Sequence, residues 1–194
     1  MSSENYGACS GFQCVGDASY LSFSVKQGTS KPGVTSAGVA LGLLDIGTVV
    51  TSNGSSVNSI FVTADSSADN GLVVTVRDEY GGLARQSAPS QVIVSATETI
   101  APGNEGFGLC VFSADEDASS DTTFDAVSPY SSSCNKTDQH AVGLVNTSPQ
   151  IILQSSGRLI SGDAEILVKG AVGATTAAGD DYSDVLTFIA TATY

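Results

Sequence analysis

Val185-Leu186-Thr187-Phe188-Ile189-Ala190-Thr191-Ala192-Thr193-Tyr194 ends the chain on a strict two-residue repeat. Leu186, Phe188, Ala190, Ala192 and Tyr194 fall on one side, and Val185, Thr187, Ile189, Thr191 and Thr193 on the other. Two residues is the side-chain period of an extended strand, and β-branched and aromatic residues suit its pleated surface. The same period recurs upstream. Leu21, Phe23 and Val25 alternate with Ser22, Ser24 and Lys26; Leu72, Val74 and Val76 alternate with Val73, Thr75 and Arg77. Phe107, Leu109 and Val111 form a third apolar face, within an expected strand over 107–112. Ile166, Val168 and Val172 form a fourth, opposed by Glu165 and by Lys169, which is expected to face outward as Lys26 does.

Apolar runs at 39–44, 57–64, 91–96, 141–145 and 150–154 bring the expected strand count to about ten. Pro32-Gly33, Asn53-Gly54, Asn70-Gly71, Gly81-Gly82, Pro102-Gly103 and Gly179-Asp180 supply turn chemistry between them. No amphipathic pattern sustains a helix beyond two turns. The expected class is therefore all-β: a β-sandwich or jelly roll of about 8–10 antiparallel strands with little helix. Residues 1–194 are expected to form a single domain, with 1–19 as an N-terminal segment and 113–140 as a polar, acidic loop excursion.

Apolar residues make up 41% of the chain and charged ones 14%, the reverse of a disordered acidic segment. The formal charge of −13 sets the chain against nucleic-acid backbones and anionic membrane surfaces. No stretch approaches the roughly 20 apolar residues of a helical membrane span. Met1 opens no charged-then-apolar leader, so an exported chain of this sequence is expected to have lost its leader already.

Four cysteines allow three pairings. Local pairing, Cys9 with Cys14 and Cys110 with Cys134, is the expected one. It would close a small N-terminal loop and tie strand 107–112 to the far end of the excursion. Cys9 and Cys14 lack the tight spacing of a zinc knuckle, and His140 is the only histidine. An even cysteine count in an acidic, Ser/Thr-rich chain points to disulfides and to an extracellular setting.

Sites of chemistry are scarce. No phosphate-binding Gly-rich loop, HExxH or GxSxG motif occurs, and one histidine offers little to a nucleophilic triad. The chain is not expected to be an enzyme. Two acidic clusters stand out, Asp115, Glu116, Asp117 and Asp121 in the excursion and Asp180 and Asp181, with Asp184, before the last strand. Both read as solvated surface, with weak Ca²⁺ coordination as the one cofactor their chemistry would suit. Asn53, Asn135 and Asn146 open formal glycosylation sequons.

Ala177-Ala-Gly-Asp-Asp-Tyr-Ser-Asp-Val-Leu-Thr-Phe-Ile-Ala-Thr-Ala-Thr-Tyr194 resembles the closing strand of exported bacterial surface proteins. Leu43-Leu-Asp-Ile-Gly-Thr-Val49, Asn70-Gly-Leu-Val-Val-Thr-Val76 and Pro102-Gly-Asn-Glu-Gly-Phe-Gly-Leu109 are similar to further segments of the same proteins. The closing pattern is also similar to spore-coat-U-like pilins of the archaic chaperone–usher type, and more loosely to TasA-type fibre proteins. The resemblance implies a secreted β-sandwich at the cell surface. In the pilin-like families it implies polymerisation by strand exchange.

The expected function is that of a structural subunit of an extracellular filament, pilus-like fibre or surface layer, whose partner is another copy of itself. Strands 20–26 and 185–194 are the expected edges, where unpaired backbone can accept a strand. Met1, Ser2, Ser3, Glu4, Asn5 and Tyr6, within Met1–Ala8, are the expected docked segment, with Tyr194 as a further subunit contact. A monomeric adhesin or carbohydrate-binding module is the alternative, and a jelly-roll virion coat protein the third.

Overall fold

The computed structural model of the chain describes residues 19–31, 33, 38–53, 57–96, 99–131, 134–137 and 142–194. These form twelve strands: β1 (Leu21–Gly28), β2 (Val49–Thr51), β3 (Ser59–Ser66), β4 (Leu72–Arg77), β5 (Gly82–Arg85), β6 (Ala88–Val94), β7 (Gly106–Asp115), β8 (Asp125–Ala126), β9 (Gln150–Ser155), β10 (Leu159–Ala171), β11 (Tyr182–Ser183) and β12 (Thr187–Ala192). No helix occurs among the described residues, and so none long and apolar enough to cross a membrane.

The strands pair antiparallel in two main sheets and one small one. In the first sheet β10 is central, with β7 along one side. Along its other side lie β3 and then β2, so these two form one interrupted row, and β1 pairs with β3 beyond it. The second sheet runs β12-β4-β9-β8. The small sheet is β11-β5-β6.

The alternation of each strand decides what faces inward. Ile60, Val62 and Ala64 of β3, Leu109 and Val111 of β7, and Ile166 and Val168 of β10 meet Leu72, Val74 and Val76 of β4 and Ile152 and Leu153 of β9 in one buried cluster. The two main sheets therefore face each other across a shared core, which is the arrangement of a β-sandwich. Leu186, Phe188, Ala190 and Ala192 of the closing segment pack against the same cluster.

The two sides of the sandwich are finished differently. The outer edge of β7 is covered by irregular chain: the Ala96 amide donates to Phe107 O at 2.7 Å, the Gly143 amide to Leu109 O at 2.7 Å, and the Val111 amide to Tyr130 O at 2.9 Å. The far edge of the second sheet is closed by β8 and by the Val127 amide on Ile152 O at 3.0 Å. On the other side, β1 pairs only with β3 and β12 only with β4 among the described residues. Among the described residues the expected edge strands are thus the edges of their sheets, and the two approach one another.

Several expectations need correction. The run 39–44 is irregular chain, because it lies across the mouth of the core instead of joining a sheet. Val142–Val145 contributes one isolated bridge, Leu109 with Gly143, because its job is to cover the β7 edge. The strand expected at 107–112 extends to Asp115, so the excursion begins after it. Lys169 is not an outward, solvated lysine. It points away from the core, as its alternation requires, yet it is 0% exposed, because the excursion folds back over that face of β10.

Candidate binding groove and the strapped sheet

An apolar groove of about 900 Å³ opens beside the β1 and β12 edges. Its walls include Val25 of β1, Ile60 of β3, Phe107 of β7, Val168 of β10, Leu83 of β5 and Phe188 of β12. These are core-facing positions, and among the described residues no strand lies over them. Gly170 seats the segment that borders the groove. A Cβ at this position would come within 3.1 Å of Leu41 Cδ1 and 3.5 Å of Leu44 Cδ2, so the missing side chain leaves room for those two leucines to settle in. Val39, Leu41 and Leu44 pack against the core from this irregular segment, while Leu43 next to them is 87% exposed. The volume falls in the range of ligand-binding clefts, and the lining has their apolar character. Tyr182, Ser183 and Asp180 supply polar groups at one mouth, and Asp184 lines it with its carboxylate turned inward.

The opposite face of the first sheet is strapped. Cys110 on β7 and Cys134 form a disulfide with their Cα atoms 5.5 Å apart, the expected local pairing. It sets residues 134–137 over the outward row Glu165, Leu167 and Lys169 of β10, where the register places Cys110 opposite Leu167. The Lys136 ammonium lies 2.8 Å from Glu165 Oε1 and 4.5 Å from the centre of the Phe112 ring. The Lys169 ammonium donates to Thr137 O at 2.7 Å, and the Thr51 hydroxyl donates to the same carbonyl at 3.3 Å. Glu165-Ile166-Leu167-Val168-Lys169 carried the signal for this in its sequence. Leu167 breaks the apolar–polar alternation, as happens where both faces of a strand are covered.

The acidic residues expected as possible calcium ligands are spread over separate structural tasks. Asp115 pairs with Lys31 at 3.1 Å. Glu116 accepts the amide of buried Phe124 at 2.9 Å. Asp117 accepts the Ser119 amide at 2.8 Å, which holds its carboxyl below the usual range. Asp121 pairs with Arg158 at 3.0 Å. Asp181 closes the β5–β6 hairpin, accepting the Ser87 amide at 2.6 Å and the Arg85 guanidinium at 2.9 Å. Hydrogen bonds from Ser87, and then Arg85, hold its carboxyl down at about 2. Asp180 is exposed at the groove mouth. No group of three or more His, Cys, Asp or Glu side chains among the described residues gathers in a geometry that could hold a metal ion.

Tyr194 lies just beyond β12 and is 57% exposed. Met1–Tyr6, Cys9, Cys14 and His140 lie outside the described residues. Two features escaped the sequence reading: the buried Lys169 and Asp78. Asp78 is 1% exposed. Its signal was parity, since it extends the inward row Leu72, Val74, Val76 by one more step.

Compared with protein-family models, with curated protein sequences and with solved structures, the chain shows no match.

Proposed function

We propose that this chain is a structural subunit of an extracellular fibre or surface layer, joined to further copies by β-strand addition along the β1–β12 side. The observation that carries the reading is the asymmetry of the sandwich. Irregular chain covers its β7 edge and β8 covers its β9 edge, while among the described residues β1 and β12 each pair with a strand on one side only and flank an apolar groove. An uncovered, low-charge edge is a template for pairing with another chain unless something blunts it. β12 carries no charge and β1 only Lys26. Exposed Tyr20, Leu21, Val185, Ile189 and Tyr194 on and beside these strands add apolar surface to the same side. The docked segment in this reading is Met1–Ala8 of the neighbouring copy, which brings one charge, Glu4. A contact between two different surfaces of one chain propagates into an open filament. The disulfide suits an oxidising, extracellular setting. Catalysis has no part in this reading.

Negative-stain microscopy and sedimentation of concentrated protein test it. Fibres or ordered sheets are expected from the full chain, and folded monomers from a chain lacking residues 1–8. A full-length chain that remains monomeric at high concentration would overturn assembly in favour of a monomeric binding module.

A further inference from the structure

We propose that Asp78 and Asp184 together hold a hard divalent cation of the calcium class, beneath the turn that joins β4 to β5. The argument begins with strand parity. The inward row of β4 is Leu72, Val74 and Val76, and Asp78 continues it past the end of the strand. The inward row of β12 contains Phe188 and Ala190, and Leu186 and Asp184 continue it in the other direction. β12 pairs with β4 through Thr187 with Arg77 and Phe188 with Val76. Carried one step further, that register sets position 186 beside 78. Positions 78 and 184 therefore lie diagonally at the end of the sandwich, near enough for the charge of Asp78 to act on Asp184. Asp184 Oδ1 accepts the Glu79 amide at 3.2 Å and the Val185 amide at 2.8 Å, which brings it against the residue next to Asp78.

Three carboxylate oxygens are left over. Both oxygens of Asp78 and Oδ2 of Asp184 are buried without a hydrogen-bond partner. None of the ion pairs among the described residues reaches either acid. An ionised carboxylate away from water must be paired, neutralised or bound to a metal. The Gly81 and Gly82 amides lean toward Asp78 without completing a hydrogen bond of good geometry, and burial opposes its charged form more strongly than they favour it. The turn has little freedom to fold away. Gly82 has φ +146°, and a Cβ there would overlap Ile93 O.

Two neighbouring acids of total charge −2 balance one divalent cation. Ca²⁺ takes 6–8 oxygens in irregular geometry, so carbonyls and water would complete the shell, and a site with only two carboxylates falls in the weak, extracellular range of affinity. This pair is separate from Asp115–Asp121 and from Asp181, whose carboxylates are already engaged.

Terbium luminescence excited through tyrosine tests the proposal, because Tyr80 lies in the turn and the charge of Asp78 is felt by Tyr130. Wild-type protein stripped with chelator is expected to show sensitised emission that calcium displaces at about 0.1–1 mM. Equilibrium dialysis with radioactive calcium should show this site filled in the same range. Asp78→Asn and Asp184→Asn should each weaken binding by about tenfold or more, since affinity follows ligand charge. Asp180→Asn should bind as wild type does. Should Asp78→Asn fail to fold, Asp184→Asn and dialysis of the wild type decide the matter. No calcium uptake by the wild type in that range, or Asp184→Asn binding as tightly as wild type, would overturn the proposal.

Discussion

Lys136 grips Glu165 across the strapped face, with its ammonium 2.8 Å from Oε1 and 3.0 Å from Oε2. The Glu165 side chain is 7% exposed and that of Lys136 35%, so the lysine is the only solvated half of the pair. Removing a partner from such a pair leaves a buried charge behind. Lys136→Ala is expected to cost about 2–4 kcal/mol in urea unfolding. Phe112→Leu, which removes only the ring beneath the ammonium, should cost about 1 kcal/mol. Equal losses for the two variants would show that the ion pair is not what holds the strap.

The disulfide ties down the other end of the same strap. Cys134→Ser should lower stability by about 3 kcal/mol, from the freed loop between Cys110 and Cys134. It should also uncover Lys169. In the oxidised protein, amine-directed acetylation followed by peptide mapping is expected to label Lys26 readily and Lys169 poorly. Cys134→Ser should narrow that gap. Equal labelling of both lysines in the oxidised wild type would contradict the burial of Lys169.

Gly143 lies flat against the Tyr130 ring, and a Cβ at this position would overlap ring carbons of Tyr130. Tyr130 is itself held by its hydroxyl on Leu144 O and by its backbone carbonyl on the Val111 amide. The ring cannot move without releasing the cover from the β7 edge. Gly143→Ala should therefore cost about 1–3 kcal/mol or more, read as a lower thermal midpoint. A midpoint equal to wild type would show that this cover yields freely.

In chelator, Asp78 and Asp184 should make stability fall as pH rises. Burial raises Asp78 above its ordinary 3.8 against the turn amides. Burial also raises Asp184, and the charge of Asp78 adds to the effect. A raised acid binds its proton more tightly folded than unfolded. Its contribution is thus fully present below the unfolded value and is lost as pH rises through the folded one. Glu79 and Tyr80 flank the pair, and Tyr130, pushed up to about 12 by burial and by Asp78, stays neutral over the range. Urea midpoints from pH 4 upward should fall for the wild type and flatten in Asp78→Asn. A flat wild-type profile would rule out the burial of these charges.

Asp181 should act with the opposite sign. Its carboxyl is held down at about 2, so its contribution is present above the ordinary 3.8 and is lost as pH falls through the folded value. Asp181→Asn should remove that acid-side loss and loosen the β5–β6 hairpin, measured as faster amide exchange at Ser87. Unchanged exchange at Ser87 would show that Asp181 does not hold the turn.

Most strands were legible because alternation is local. Leu72–Arg77 reads as half-buried in any company, and so does the closing segment, including its place at a sheet edge. The runs at 39–44 and 141–145 were misread for the same reason. An apolar run reports that its side chains will be covered, not that its backbone will find a partner. Leu41 fills the space left by Gly170, and Val142 packs where Gly108 leaves room, without either joining a ladder. The acidic clusters gave no hint of their division of labour, since the partners of Asp121 and Asp181 are Arg158 and Arg85, far away in the chain.

The sequence by itself determined an all-β chain and the inward rows of its main strands, and it favoured the pairing of Cys110 with Cys134 among three that the cysteines allow. Those follow from a two-residue period and from spacing, which act over a few residues. Only the tertiary structure decided which faces stay wet. Lys169 alternates as a surface lysine and Asp78 is a polar residue beside a turn, yet the strap covers one and the inward row of β4 carries the other into the core. The parity of Asp78 and the apolar Leu167 beside Lys169 hint at this locally, but burial is completed only by what a distant segment lays over a residue.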